Sequence, residues 1–300
     1  MVSGNPKLET LFSRGKGTVP KPIHITPLYV VKNSDERAYY CGKVAKGSAA
    51  KPPKLSELRP IRIEPNTPYR FYVGTSLELL DDVLLGLSNV GAFRFGNYLV
   101  YVSDITYEIK YVDLEREAEV IKKELIKSIY DKNVKMTLKV VFSSPTLLKD
   151  PLSLGRGRKR KSFLPLPESV FSTSFLMLLI ESGKFKVSTY LRCMRYVKSV
   201  FDIPYTALKT VNIAWYVYNN KPLPALIGYV KYFIDPKVLD RANKITSVKY
   251  GIDLTDYISK SIILTKTYGI GDGRAAGFGH TKITIKSFPE RRISYGGEFF

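Results

Sequence analysis

Gly269-Ile270-Gly271-Asp272-Gly273-Arg274-Ala275-Ala276-Gly277-Phe278-Gly279 is the stretch on which the reading of this chain turns. Five glycines in eleven residues permit positive φ and the close approach of another backbone. Successive peptide N–H groups in such a run can cradle a phosphate. Residues 271–276 even fit G-x-G-x-x-A, but the dinucleotide fingerprint needs a strand before the loop and a helix after it. Here the order is reversed. Upstream, Asp253 caps a helix that runs to Tyr268 and stops at Gly269. Downstream, residues 282–287 alternate as a strand. No G-x-x-x-x-G-K-[ST] occurs. An ordinary connection between helix and strand is shorter than this loop. A binding role is therefore expected, with Gly269, Gly271, Gly273, Arg274, Gly277 and Gly279 as candidates.

Working outward, the second half opens with a strand over 134–142 and a basic excursion over 148–166. Helices over 168–181 and 190–200 follow, then Tyr-rich strands over 207–218 and 225–234, the helix capped by Asp253, and the last strand. That order, β–α–β–β–α–β, is the ferredoxin-like unit. Residues 113–130 form the best helix pattern: Leu114, Ala118, Ile121, Leu125 and Ile129 share a face, and Glu119 precedes Lys123 by four residues. It reads as the connection between two domains. The first half opens with a strand over 22–32, with Ile23 and Ile25 on one side and His24 and Thr26 on the other. A mobile loop over 45–54, strands over 58–64 and 69–73, and a helix from Ser76 to Leu87 come next. Strands over 93–95 and 98–109, turning at Gly96-Asn97, close it. This approximates the same unit without its opening strand and most of its first helix. The expected architecture is α+β: two tandem ferredoxin-like (RRM-like) domains, the N-terminal one incomplete. The divisions are 1–112, a connecting helix over 113–133, and 134–300.

Charge gives the first clue to a partner. Lys plus Arg number 47 and Asp plus Glu 27, a net +20 at neutral pH. A domain this basic has a polyanionic partner as its first expectation, nucleic acid before an anionic membrane. The 21 tyrosines suit stacking on unpaired bases, although most are expected to fill β-structure. The run Arg156-Gly-Arg158-Lys159-Arg160-Lys161, flanked by Pro151 and Pro165, reads as a projecting hairpin for phosphate contacts or as a solvated loop. Gln is absent and Cys and Met are few, a composition that hints at a thermophile. Cys41 and Cys193 cannot build a disulfide framework or a Cys-based zinc site. The two histidines, His24 and His280, belong to no cluster with metal-ligand spacing, so neither a metal nor a cofactor is expected. His280 opens the last strand and faces either ligand or core. No run is long and apolar enough to span a membrane and no signal peptide is evident, so a cytoplasmic protein without a membrane partner is expected.

Residues 269–279 resemble the G-h-G-x5-G-h-G loop of the RAMP superfamily, where h is hydrophobic. Phe142-Ser-Ser-Pro145-Thr146-Leu-Leu, followed by Leu164-Pro-Leu-Pro167-Glu-Ser-Val-Phe171, resembles the start of the C-terminal domain of Cas6 proteins, the CRISPR repeat-RNA endoribonucleases. Ile227-Gly-Tyr-Val230 is similar to their central strand, and Lys21-Pro-Ile-His-Ile-Thr-Pro-Leu28 to the Lys-Pro-Phe-Thr-Phe-Ser-Pro-Leu strand of their N-terminal domain. The likeness covers most of the chain and points to archaeal members. It implies two ferredoxin-like domains facing each other across a basic cleft. It also implies metal-independent cleavage of CRISPR precursor RNA within repeats, leaving a 2′,3′-cyclic phosphate and a 5′-OH. Lys21 matches a basic family position near the phosphate. Ser13 falls where a family histidine usually stands, and His24 could substitute for it. Arg156, Arg158, Lys159, Arg160, Lys161 and the glycine loop correspond to elements that hold the repeat RNA. The alternative is a non-catalytic RAMP subunit that holds guide RNA among the other subunits of an interference complex. A homodimer is plausible for the family.

Overall fold

The computed structural model describes residues 20–32, 35–39, 44–46, 54, 64–95, 98–102, 104–131, 134–153, 161–204, 209–218 and 221–289. Ser13, Arg156, Arg158, Lys159 and Arg160 lie outside them, as does the strand expected over 58–63.

The expected first strand is broken in two, β1 (Ile23–Ile25) and β2 (Leu28–Lys32). Pro27 has no N–H to give a ladder. Thr26 fixes the corner: its N–H donates to the Tyr72 carbonyl and its Oγ1 accepts from the Tyr72 N–H, both at 2.9 Å. Further strands are β3 (Asp35–Tyr39), β4 (Val44–Lys46), β5 (Tyr69–Arg70) and β6 (Val73–Thr75). β1 pairs with β6, and β2 pairs with β3 and β5. A turn of 3-10 helix, Leu77–Leu79, leads into α1 (Leu80–Ser88), and the hairpin β7 (Ala92–Phe95) and β8 (Tyr98–Tyr101) follows. β8 stops short of residue 109. The alternating Ile105, Tyr107 and Ile109 find no ladder partner among the described residues, and Tyr107 is exposed. Without a partner a strand pattern leaves its N–H and C=O groups to water. Among the described residues the first half is three small ladders rather than one sheet.

Helix α2 (Leu114–Tyr130) starts at Asp113, whose carboxylate accepts from the Arg116 N–H. It buries Ala118, Ile121 and Leu125 in the same core as the second half, so the expected connector is packed rather than bridging. The rest comprises β9 (Val134–Thr146), β10 (Leu148–Lys149), β11 (Lys161–Ser162), α3 (Pro167–Val170), α4 (Ser172–Glu181) and α5 (Val187–Val200). Then come β12 (Phe201–Asp202), β13 (Val211–Tyr218), β14 (Lys221–Ile234), α6 (Pro236–Tyr250), α7 (Leu254–Tyr268) and β15 (Thr281–Pro289). The main sheet runs β15-β9-β14-β13-β4, antiparallel throughout, with β12 on the end of β14. Counted along a β–α–β–β–α–β unit, this is fourth, first, third, second. β4 of the first half extends the sheet, because Ala214–Tyr216 of β13 offer an open ladder edge. Residues 44–46 are thus strand where a mobile loop was expected to begin.

One face of the sheet is covered by helices. Met136, Leu138, Val140 and Phe142 of β9 and Val230, Tyr232 and Ile234 of β14 point into that core with Leu125, Phe175, Met194 and Ile262. The Tyr232 phenol donates to the Pro165 carbonyl at 2.6 Å, which satisfies its one buried polar atom. The alternate residues point to the other face, opposite these helices.

Candidate nucleic-acid interface at the joint

The glycine loop closes the end of the sheet and receives the first half of the chain. Gly269 ends α7 at φ 64°, and Gly271, Gly273, Gly277 and Gly279 also have positive φ. The Ile270 N–H donates to the Gly279 carbonyl, Asp272 to Leu147, Phe278 to Gly273, and Gly279 to Pro145. The His280 N–H donates to Ser144 Oγ at 2.8 Å. These donors are turned inward, and Ile270, Gly277, Phe278 and Gly279 are buried. The loop is therefore a structural joint and not the open phosphate cradle expected of it. Its glycines are needed because backbones touch: a Cβ on Gly271 would lie 2.2 Å from the Leu147 carbonyl oxygen.

Arg274 also departs from its expected RNA contact. It is buried at 7% exposure, with Nη1 donating to the Tyr268 carbonyl and Nη2 to the Lys21 carbonyl, both 2.9 Å. Burial lowers its pKa to about 10, still charged at neutral pH. The guanidinium ties the end of α7 to the segment before β1. Lys21 is thereby placed at the joint, half-buried.

His24 is brought to the same place but not to an open sheet face. It is 1% exposed, under Gly269, and its Nε2 has no hydrogen-bond partner among the described residues. Burial, then the nearby His280 and Arg274, lower its pKa to about 3, with the backbone at Thr267 and Phe278 partly opposing. At neutral pH it is an uncharged imidazole out of reach of an RNA hydroxyl, and the expected acid/base role is withdrawn on that ground. The face was misjudged because β1 is covered on the His24 side by the glycine loop. Opposite His24 in the ladder stands Gly74, where a Cβ would be 1.9 Å from the Thr267 carbonyl oxygen. Only glycine lets β6 lie that close to α7.

Above His24 the rings form a column. His24 and His280 stack at 5.4 Å between centroids and 22°, and His280 and Tyr72 at 6.3 Å and 16°. Tyr29 meets His280 edge-on at 6.4 Å. Tyr72 is 45% exposed and His280 partly so, so the column runs from the core to the surface at the Thr26 end of β1. Sequence reading named His280 without deciding its direction and missed Tyr72. The only available signal was their aromatic character, because the joint is made by residues far apart in the chain.

The root of the basic hairpin stands next to the loop. β10 pairs with β11 through Lys149 and Lys161, Leu147 bridges Asp272, and Lys149 Nζ lies 2.5 Å from the Asp272 carboxylate. Lys161 is placed by its backbone. Among the described residues no group of three or more His, Cys, Asp or Glu could hold a metal ion, and no helix is long and apolar enough to cross a membrane.

No protein-family model matches the chain and no curated protein matches it. Solved structures do. A Cas6 (TTHB231) product complex aligns at a TM-score of 0.50 and 12% identity, covering 93% of this chain and 87% of that one. A Cas6 (TTHA0078) product complex aligns at a TM-score of 0.47 and 12% identity, over 92% and 88%. Thermus thermophilus Cas6 (TTHB231) aligns at 0.44 and 11%, over 94% and 85%. By the first of these, the chain has the mixed helix-and-sheet fold of Cas6.

Proposed function

We propose that this chain, with its Cas6 fold, is an endoribonuclease that cuts CRISPR precursor RNA within its repeats to release guide RNAs. The observation that carries the reading is the likeness to a Cas6 product complex over 93% of the chain. The net charge of +20 and a ring column that reaches the surface at Tyr72 support it. We read the second half, with its fourth-first-third-second sheet, as one ferredoxin-like domain and the first half as a reduced one. The division falls near residues 113–133.

The chemistry asks little of the protein. The ribose 2′-OH beside the scissile phosphate gives its proton to a base and attacks in line, the P–O5′ bond breaks, and a 2′,3′-cyclic phosphate and a 5′-OH form. Cations stabilise the extra negative charge on the phosphorane, and a general acid protonates the leaving 5′-oxygen. Lys21 is assigned the first task. Tyr72, at the surface end of the ring column, and His280 beneath it replace His24 as candidates for the second. The mechanism needs no metal. The test is end-labelled repeat RNA in EDTA, beside a copy with a 2′-deoxy ribose at the cut site. Cleavage of the first alone is expected. Lys21→Ala should lower the single-turnover rate at least ten-fold with binding retained, and an unchanged rate removes Lys21 from the site.

The burial of His24 favours one second reading, a RAMP subunit that holds guide RNA without cutting it. Binding of repeat RNA with no cleavage of either copy would select that reading.

A further inference from the structure

The face of the main sheet opposite its helices is built from lysines and aromatic rings in register. Lys282 lies across β9 from Tyr229 through Val141, and Thr284, Lys139 and Lys231 form the next row. Lys286, Thr137 and Phe233 form the third. Lys231, Lys282 and Lys286 are exposed, and Phe233 is 38% exposed on a central strand. Lys139 Nζ sits 4.3 Å from the centre of the Tyr229 ring. Among the described residues, the one carboxylate aligned with these rows is Asp202, opposite Phe233 at the margin. Successive rows are about 7 Å apart, two residues along a strand, a spacing an extended nucleotide chain can follow.

We propose that this face is a track for single-stranded RNA, continuous with the joint and separate from the cutting groups. The track begins at Lys282, two residues after His280, so a strand leaving the ring column runs directly onto it. Phe233 offers a face to a base, and Lys231 and Lys286 on either side meet the flanking phosphates. A sheet face with aromatic rings on a central strand and cations around them suits unpaired bases, because every base has a π-face and every nucleotide a charge. A protein partner would fit less well: the patch is lysine-rich, and interface centres are depleted in lysine.

The inference takes RNA as the ligand from the reading above, and its test does not depend on cleavage. A fluorescently labelled repeat RNA with 2′-O-methyl riboses cannot be cut. Its affinity is measured across a salt series for the whole protein, Phe233→Ala, and the pair Lys231→Ala with Lys286→Ala. Phe233→Ala should weaken binding roughly ten-fold, the loss of one base–aromatic stack. The lysine pair should reduce the salt slope by about two, one per phosphate contact. All three residues are exposed, and thermal midpoints confirm that the variants fold. Unchanged affinity and salt slope in the folded variants would overturn the track. Binding that follows these expectations with no cutting of native RNA would leave the track standing and remove the nuclease.

Discussion

A Cβ on Gly279 would stand 1.9 Å from the Ile270 carbonyl oxygen, at φ +75°. The oxygen is backbone and a Cβ is fixed rigidly to its own, so no side-chain rotation relieves the clash. Gly279→Ala is expected to cost about 3 kcal/mol or more, the left-handed strain plus a broken joint. A melting temperature within two degrees of the parent would show that the loop can open without loss. His24 lives at the same scale. Its pKa is held at about 3 by burial and by the cations around it, against an ordinary 6.5. Above about pH 6.5 the ring is neutral in both folded and unfolded chains and costs nothing. As the pH falls towards 3, the unfolded chain takes up a proton that the folded one refuses, so stability falls by a few kcal/mol. Denaturant midpoints at pH 7 and pH 4 for the wild type and for His24→Gln test this. The wild type should lose more on acidification. Equal losses would show that the imidazole is not the group responsible. Neither effect was legible beforehand. The glycine run was visible as a special backbone, but whether it was special for a ligand or for a neighbouring chain depended on Leu147, Pro145 and Gly74, which the sequence does not place beside it.

Elements written in local chemistry were read well. α7 carries its cap at Asp253 and its stop at Gly269, and α2 its cap at Asp113 and a clean apolar face. α6 was overlooked although its signals are of the same kind: Asp235 accepts from the Lys237 and Val238 N–H groups, Pro236 follows, and Gly251 ends it at φ 63°. Pro at the first helical position and Gly just past the end are the expected punctuation. The first half was read least well, because its strands have two to five residues and are set by partners such as β13 rather than by their own pattern. Two substitutions separate local from tertiary control. Around Gly251 nothing lies within 4 Å of a would-be Cβ. Gly251→Ala should therefore cost only the left-handed term, about 1 kcal/mol. Leu125, fully buried under α2, loses its packing in Leu125→Ala, at about 2–5 kcal/mol. Urea unfolding of the two side by side should rank them in that order. The reverse order would mean that α2 is not part of the second-half core.

At the scale of the whole molecule, a chain of net charge +20 must hold two halves together against its own repulsion, and it does so by placing a cation inside the joint. Arg274 is worth burying because a guanidinium can serve two carbonyls at once, one at the end of α7 and one at Lys21. A lysine in its place would reach only one of them well. Removing it leaves the Tyr268 and Lys21 carbonyls without that donor and the β1–β6 ribbon held by its approach to Thr267 and by the ring column. Arg274→Ala is therefore expected to cost about 2–4 kcal/mol, two charged hydrogen bonds less relaxation. The loss should be uneven. Amide exchange should quicken in Ile23–Ile25 and Val73–Thr75, while the β9 and β14 amides, packed against the core that α2 to α7 cover, keep their protection. Arg274→Lys should fall between the two. Equal loss of protection in both halves would mean that the halves unfold as one body and that the arginine stabilises the whole fold. No loss in the β1–β6 ribbon would mean that the rings and Gly74 alone hold the joint.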